Sequence, residues 1–175
     1  MSGAFAQTDI KRLIAYSSVA HMGFVTLGLF LIYQTNDVSV AKLGYVGAIV
    51  HMISHAFGSG ALFMAFGLLY LRLHERSVLK LRGVGKQLPL YAGFFMLFVF
   101  STIGVPFTAG FVGEWMVIVS AIQNTLWIGV LSVFTIVLSA IYLLSMYRKV
   151  FFGEPNEAVL KLHDITWQET GVLSI

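Results

Sequence analysis

The 175 residues are 58% hydrophobic and only 11% charged, with a mean hydropathy of +0.85. A soluble domain of this size has no interior large enough to hide so much apolar side chain, so the class is integral membrane. Zero cysteines exclude disulfides, thiolate metal sites and iron–sulfur ligation by this chain, and the net charge of +3 is distributed in a way that argues against nucleic acid, as shown below.

At the start, MSGAFAQTDIK has no apolar stretch ahead of its lysine, so no cleavable signal is expected. Four apolar segments follow, over residues 13–33, 44–71, 89–122 and 126–147. About 20 residues cross a bilayer core, so the first, second and fourth read as transmembrane helices, the second tilted. The third has 34 residues. As one straight helix it would measure roughly 51 Å, too long for a core of about 30 Å, and two spans with a turn would need more residues than it has.

Charge selects between the two readings. Lys11 and Arg12 precede the first span, Arg72, Arg76, Lys80, Arg82 and Lys86 fill the loop after the second, and Arg148, Lys149 and Lys161 follow the fourth. If the third segment crosses once, these ten residues share one side and Lys42 alone lies opposite. That is the positive-inside pattern, and it makes the basic loop a determinant of topology rather than a nucleic-acid patch. A single crossing by so long a segment requires an interrupted helix. Pro106 cannot donate a backbone hydrogen bond, and Gly104, Gly110 and Gly113 loosen the turns around it. In the tail, Thr166 and Glu169 stand at capping-box spacing before apolar residues, so residues 166–175 are expected to begin a further helix. A four-span chain this short is expected to be part of a larger bundle.

The residues able to carry chemistry lie inside the spans. Glu114 is the one carboxylate of GVPFTAGFVGEWM. An acid at mid-membrane depth costs on the order of 2.5–3.5 kcal/mol on insertion scales and usually faces a bundle interior or water. A broken helix supplies freed backbone groups and water to solvate it, and an acid balanced between burial and a neighbouring lysine suits a proton relay. His21 follows Ser17 and Ser18 on a polar stripe of the first span. His51 and His55, four apart in the second, share a face with Gly44, Gly47, Ala48 and Gly58, where small residues permit close helix contact. Imidazole passes protons between its two nitrogens, whereas the bland reading of each histidine is a hydrogen-bonded residue in a helix interface. HMISH lacks the glutamate of a zinc motif and a third ligand, so no metal is expected. GVGK at residues 83–86 falls short of a phosphate-binding loop.

AFAQTDIKRLIAYSSVAHMGF, MISHAFGSGALF and FVGEW, in this order and spacing, resemble the antiporter-like chains typified by chain 4 of the proton-pumping NADH–quinone oxidoreductase (respiratory complex I), which are also similar to Mrp-type cation/proton antiporters. The resemblance runs from Ala4 to about Gly153. It implies a bundle of about fourteen helices with two inverted units of about five, each containing a broken helix; this chain would supply approximately helices ten to thirteen, the broken one being the twelfth. It implies that Glu114, His21 and His55 form a proton relay. Lys11 matches the lysine of DIK, where snorkelling at a membrane boundary is its expected role. His51 lies outside the motif, and the interval from His21 to Glu114 is longer than usual, through loops near Asn36 and Lys80. The acid and lysines of the other unit are absent, which implies a split or truncated subunit completed by other chains.

The function so implied is a membrane-arm fragment contributing part of a proton pathway coupled to electron transfer from NADH to quinone. FMN, iron–sulfur clusters and quinone would be held by partner subunits, with no cofactor on this chain. The partners would be other membrane-arm subunits and lipid, with no nucleic acid. The expected location is the mitochondrial inner membrane, with bacterial plasma membrane and thylakoid as alternatives. An Mrp-type antiporter subunit and a non-conducting scaffold are the rival readings.

Overall fold

The computed structural model describes residues 7–173. Residues 4–6, at the head of the AFAQTDIK motif, and residues 174–175 of the expected terminal helix lie outside the described residues. The described residues form helices and no named strand. They are α1 (Ile10–Gln34), α2 (Val38–Leu73), the short α3 (Val84–Gln87), α4 (Pro89–Ile103), α5 (Ala109–Asn124), α6 (Leu126–Phe151), and the short α7 (Glu157–Leu160) and α8 (Trp167–Leu173).

Local chemistry explains most of the boundaries. Asp9 caps α1 by accepting from the Arg12 N–H at 3.2 Å, and Asp37 caps α2 by accepting from the Ser39 N–H at 2.8 Å. Proline opens α4, where a missing N–H leaves no intrahelical bond unmade. The expected capping box exists: the Thr166 N–H donates to Glu169 Oε2 at 2.7 Å and the Glu169 N–H donates to Thr166 Oγ1 at 3.4 Å. The second element is longer than the expected 44–71. It runs unbroken for 36 residues, roughly 54 Å, because Asp37 starts it early and no proline or unfavourable turn stops it before His74, whose φ of 48° closes it.

The interrupted stretch makes one traverse of the bundle. The start of α4 lies at the end where α1 begins and where α2 and α6 finish: the Ile10 N–H donates to the Arg76 carbonyl at 3.0 Å and the Gly83 N–H donates to the Phe152 carbonyl at 3.2 Å. The far end of α5 meets the start of α2, where Ser120 Oγ donates to the Val40 carbonyl at 2.7 Å. The ten grouped basic residues therefore gather at one end and Lys42 stands at the other, as the charge pattern requires.

Helix α2 is the central element, packed along α1 and α5. Close approach depends on glycine. A Cβ on Gly113 would lie 2.6 Å from the His51 Cα, so α5 and α2 touch backbone to backbone there. A large apolar cluster, including Ile14, Leu62, Phe66, Phe95, Val99 and Met146, fills the basic end, and Phe24, Val117 and Ile118 form a smaller one beyond. The buried histidines and Glu114 fall between the two. Large apolar side chains such as Phe57 and Trp127 face outward at 74% and 76% exposure, as expected where the surrounding solvent is hydrocarbon.

Candidate functional site

The site is built around the gap between α4 and α5. Val105 and Thr108 close a turn, with the Thr108 N–H donating to the Val105 carbonyl at 3.0 Å. Pro106 occupies the second position, which suits its fixed φ, and Phe107 occupies the third with φ 77°, a conformation that normally calls for glycine. Gly104, at φ 78°, ends α4 and donates its N–H to the Phe100 carbonyl at 3.1 Å. A Cβ on Gly110 would run into the Ser101 carbonyl, and one on Gly104 would run into the Glu114 carboxylate. Of the expected break residues, Pro106 is thus a turn former and Gly104 and Gly110 are points of contact, and the acid docks directly against the break.

Glu114 and His21 are each 1% exposed, and Glu114 Oε1 shares a hydrogen bond of 2.8 Å with His21 Nδ1. The same oxygen lies 3.9 Å from His51 Nε2. That nitrogen donates at 3.1 Å to the His21 carbonyl, which fixes a proton on it. His55 completes the group, its ring centroid 5.7 Å from both His21 and His51, and the last two rings are 6.2 Å apart. Tyr142 of α6 approaches Ser17 and lies close enough to feel the charge of Glu114. His21 Nε2, His51 Nδ1, His55 Nε2 and Glu114 Oε2 are buried without a protein hydrogen-bond partner. Each such atom costs on the order of 1–3 kcal/mol unless water or a moving proton reaches it.

The sequence reading therefore needs adjustment. Glu114, His21 and His55 do come together, but His51, which lies outside the motif, is nearer the acid than His55 is. Within 4 Å the ionisable partners of Glu114 among the described residues are histidines, not the anticipated lysine. Lys11 is exposed at the basic end, about 15 Å along the helix from His21, and takes no part in the cluster. Tyr142 escaped notice, being one of several hydroxyl residues in its span, with Ser132, Thr135, Ser139, Ser145 and Tyr147. A third donor to a histidine pair also exists after all, since atoms of His21, His51 and Glu114 lie within 4.8 Å of one another. Two of them share a hydrogen bond and the third donates to a backbone carbonyl, which is the pattern of a hydrogen-bonded network rather than of a ligand set. Chemically, a proton can pass between carboxyl and imidazole over 2.8 Å without either group moving far.

Comparison with known proteins adds context. Residues 1–139 match the family described as NADH:quinone oxidoreductase/Mrp antiporter, TM. The chain is 41% identical to NADH-quinone oxidoreductase subunit M of Rhodobacter capsulatus, over 98% of its own length and 32% of that protein's. It thus spans about a third of the length of the curated relatives it matches. Among solved structures it is similar to a chain of respiratory complex I from Thermus thermophilus with bound NADH, with a TM-score of 0.87, 27% identity, and coverage of 98% of this chain and 34% of the other. It is also similar to a chain of the Mrp complex from Dietzia sp. DQ12-45-1b, with a TM-score of 0.80, 26% identity, and coverage of 89% and 28%.

Proposed function

The chain belongs to the NADH:quinone oxidoreductase/Mrp antiporter transmembrane family, and from that premise we propose that it is a membrane-arm fragment of a proton-pumping NADH:quinone oxidoreductase, of the subunit M (chain 4) type, contributing part of the proton pathway. Glu114 is the switchable acid, His21 exchanges protons with it, and His55 feeds the pair. The observation that carries this reading is the 2.8 Å hydrogen bond between Glu114 Oε1 and His21 Nδ1, held beside a helix break and backed by further imidazoles.

In this reading the chain crosses the membrane four times: α1, α2 and α6 are long and apolar enough to span, and α4 with α5 make the fourth, broken crossing. Redox chemistry belongs to other chains, which hold flavin, iron–sulfur clusters and quinone, and further membrane-arm chains supply the rest of the bundle. The mitochondrial inner membrane is the location expected from the sequence; the bacterial relatives favour a bacterial plasma membrane. Moving one charge across 100 mV requires about 2.3 kcal/mol, so the driving force comes from coupled changes beyond this polypeptide.

Glu114→Gln in the assembled complex tests the role. We expect proton pumping to fall by about tenfold or more with assembly intact; pumping at the unmodified rate would refute it. The likeness to an Mrp complex supports one rival, a cation/proton antiporter subunit independent of any dehydrogenase. Co-purification separates them, since only the first predicts flavin and iron–sulfur chains in the same particle.

A further inference from the structure

Two imidazoles, not one, face the same carboxylate oxygen. His21 comes to Glu114 Oε1 from α1 at 2.8 Å and His51 comes from α2 at 3.9 Å. Each has its other nitrogen buried and without a protein partner, Nε2 in His21 and Nδ1 in His51. His55 stands behind both at equal ring distance, 5.7 Å. A further polar neighbour of the acid is Tyr142 from α6, and Gly104, which ends α4, lies against the Glu114 carboxylate. The arrangement has the connectivity of a fork: one source, two arms, one acid.

We propose that His51 is a second proton-exchange partner of Glu114, acting in parallel with His21. The inference rests on the reading that Glu114 takes part in proton transfer. Its proton on Nε2 is set by the His21 carbonyl rather than by the acid, at 3.1 Å, so Nδ1 carries the lone pair and is the nitrogen that accepts. A proton passed from His55, directly or through one water, forms an N–H bond at His51 Nδ1. The Nε2–H then turns from the His21 carbonyl to Glu114 Oε1, less than 1 Å beyond a normal hydrogen bond. The N–H bond breaks and an O–H bond forms. His55 has lost one proton, Glu114 has gained one, and His51 is neutral with its proton on Nδ1. Passage of that same proton from Nδ1 to Nε2 through one water restores the starting tautomer of His51, and His55 is recharged by the next proton arriving along the pathway. In the His21 arm, by contrast, the bond to the acid itself fixes the imidazole, so that arm waits on the state of Glu114 while the His51 arm is held ready by the backbone.

The test is a double-mutant cycle in the intact assembled complex, with proton pumping normalised to the amount of complex. H51Q keeps an N–H for the His21 carbonyl but cannot relay a proton, and H51N carries the same test should H51Q assemble poorly. Parallel arms predict that H51Q pumps about twofold slower, that H21Q retains a measurable residue, and that H21Q/H51Q falls about tenfold below H21Q. Wild-type pumping by H51Q, or a double variant no slower than H21Q, would reduce His51 to a backbone hydrogen-bond donor and overturn the inference. E114Q separates the two levels. Full pumping in E114Q overturns the relay reading and this branch with it, whereas loss in E114Q with wild-type H51Q removes the branch alone.

Discussion

At the basic end of the bundle Arg72 holds both oxygens of Glu169 at 2.6 Å, Lys86 meets Glu154 at 2.7 Å and Lys80 meets Glu75 at 3.1 Å. In the middle, three imidazoles and one carboxyl share a buried space, and four of their polar atoms have no protein partner. The first region has opposite charges matched and partly wet; such pairs contribute about 0–1 kcal/mol each and organise the ends of helices. The second has a single acid, no lysine or arginine within 4 Å of it among the described residues, and every ring within reach of another. Paired charges hold a shape, while unpaired protonatable groups in a low-dielectric interior leave room for a proton to move.

The contrast can be broken most severely where the central cluster depends on backbone contact. Gly113→Val should push α5 off α2 at His51 and destabilise by about 3 kcal/mol or more, read as loss of assembled complex. Gly104→Ala is expected next, at about 1–3 kcal/mol from its positive φ. Because its Cβ would meet the Glu114 carboxylate, pumping should drop several-fold more than assembly does; equal losses would mean that the glycine serves only the turn. At the basic end the expected effects are smaller. The Thr166 N–H, with Arg72 adding, holds the Glu169 carboxyl below its ordinary value of 4.5. The sign follows: this stabilisation is complete above the unfolded pKa and is lost as pH falls through the lower folded one. Hydrogen-exchange protection over residues 166–173, corrected for the slower intrinsic exchange in acid, should therefore fall on acidification below about pH 4.5, and Glu169→Gln should remove that dependence at a cost under about 1 kcal/mol. Smallest of all, Phe107→Gly should be neutral or stabilise by about 1 kcal/mol, read by thermal unfolding in detergent, since glycine relieves the φ of 77° and the phenyl ring is fully exposed.

These expectations draw unequally on sequence and structure. Periodicity-free apolar length, the positions of ten basic residues, and the pairing of Pro106 with glycines determined the class, the order of the helices, the place of the break and the isolation of Glu114. They could do so because each depends on local backbone chemistry or on transfer between water and hydrocarbon, both written along the chain. The Thr166–Glu169 cap was legible for the same reason, its partners being three residues apart.

Which of the two histidines of α2 lies nearer the acid was not legible. His51 and His55 lie on one face of α2 by their spacing, and nothing in that spacing ranks them. The choice is made by the height and rotation at which α2 crosses α1 and α5, and these are set by contacts between residues far apart in the chain, such as Gly113 on the His51 backbone. Tyr142, brought to Ser17 and Glu114 from α6, and Arg72, reaching Glu169 from 97 positions away, were hidden for the same reason. The chain alone specified that an isolated acid would sit at a helix break; only the packing of the helices decided which rings would share it.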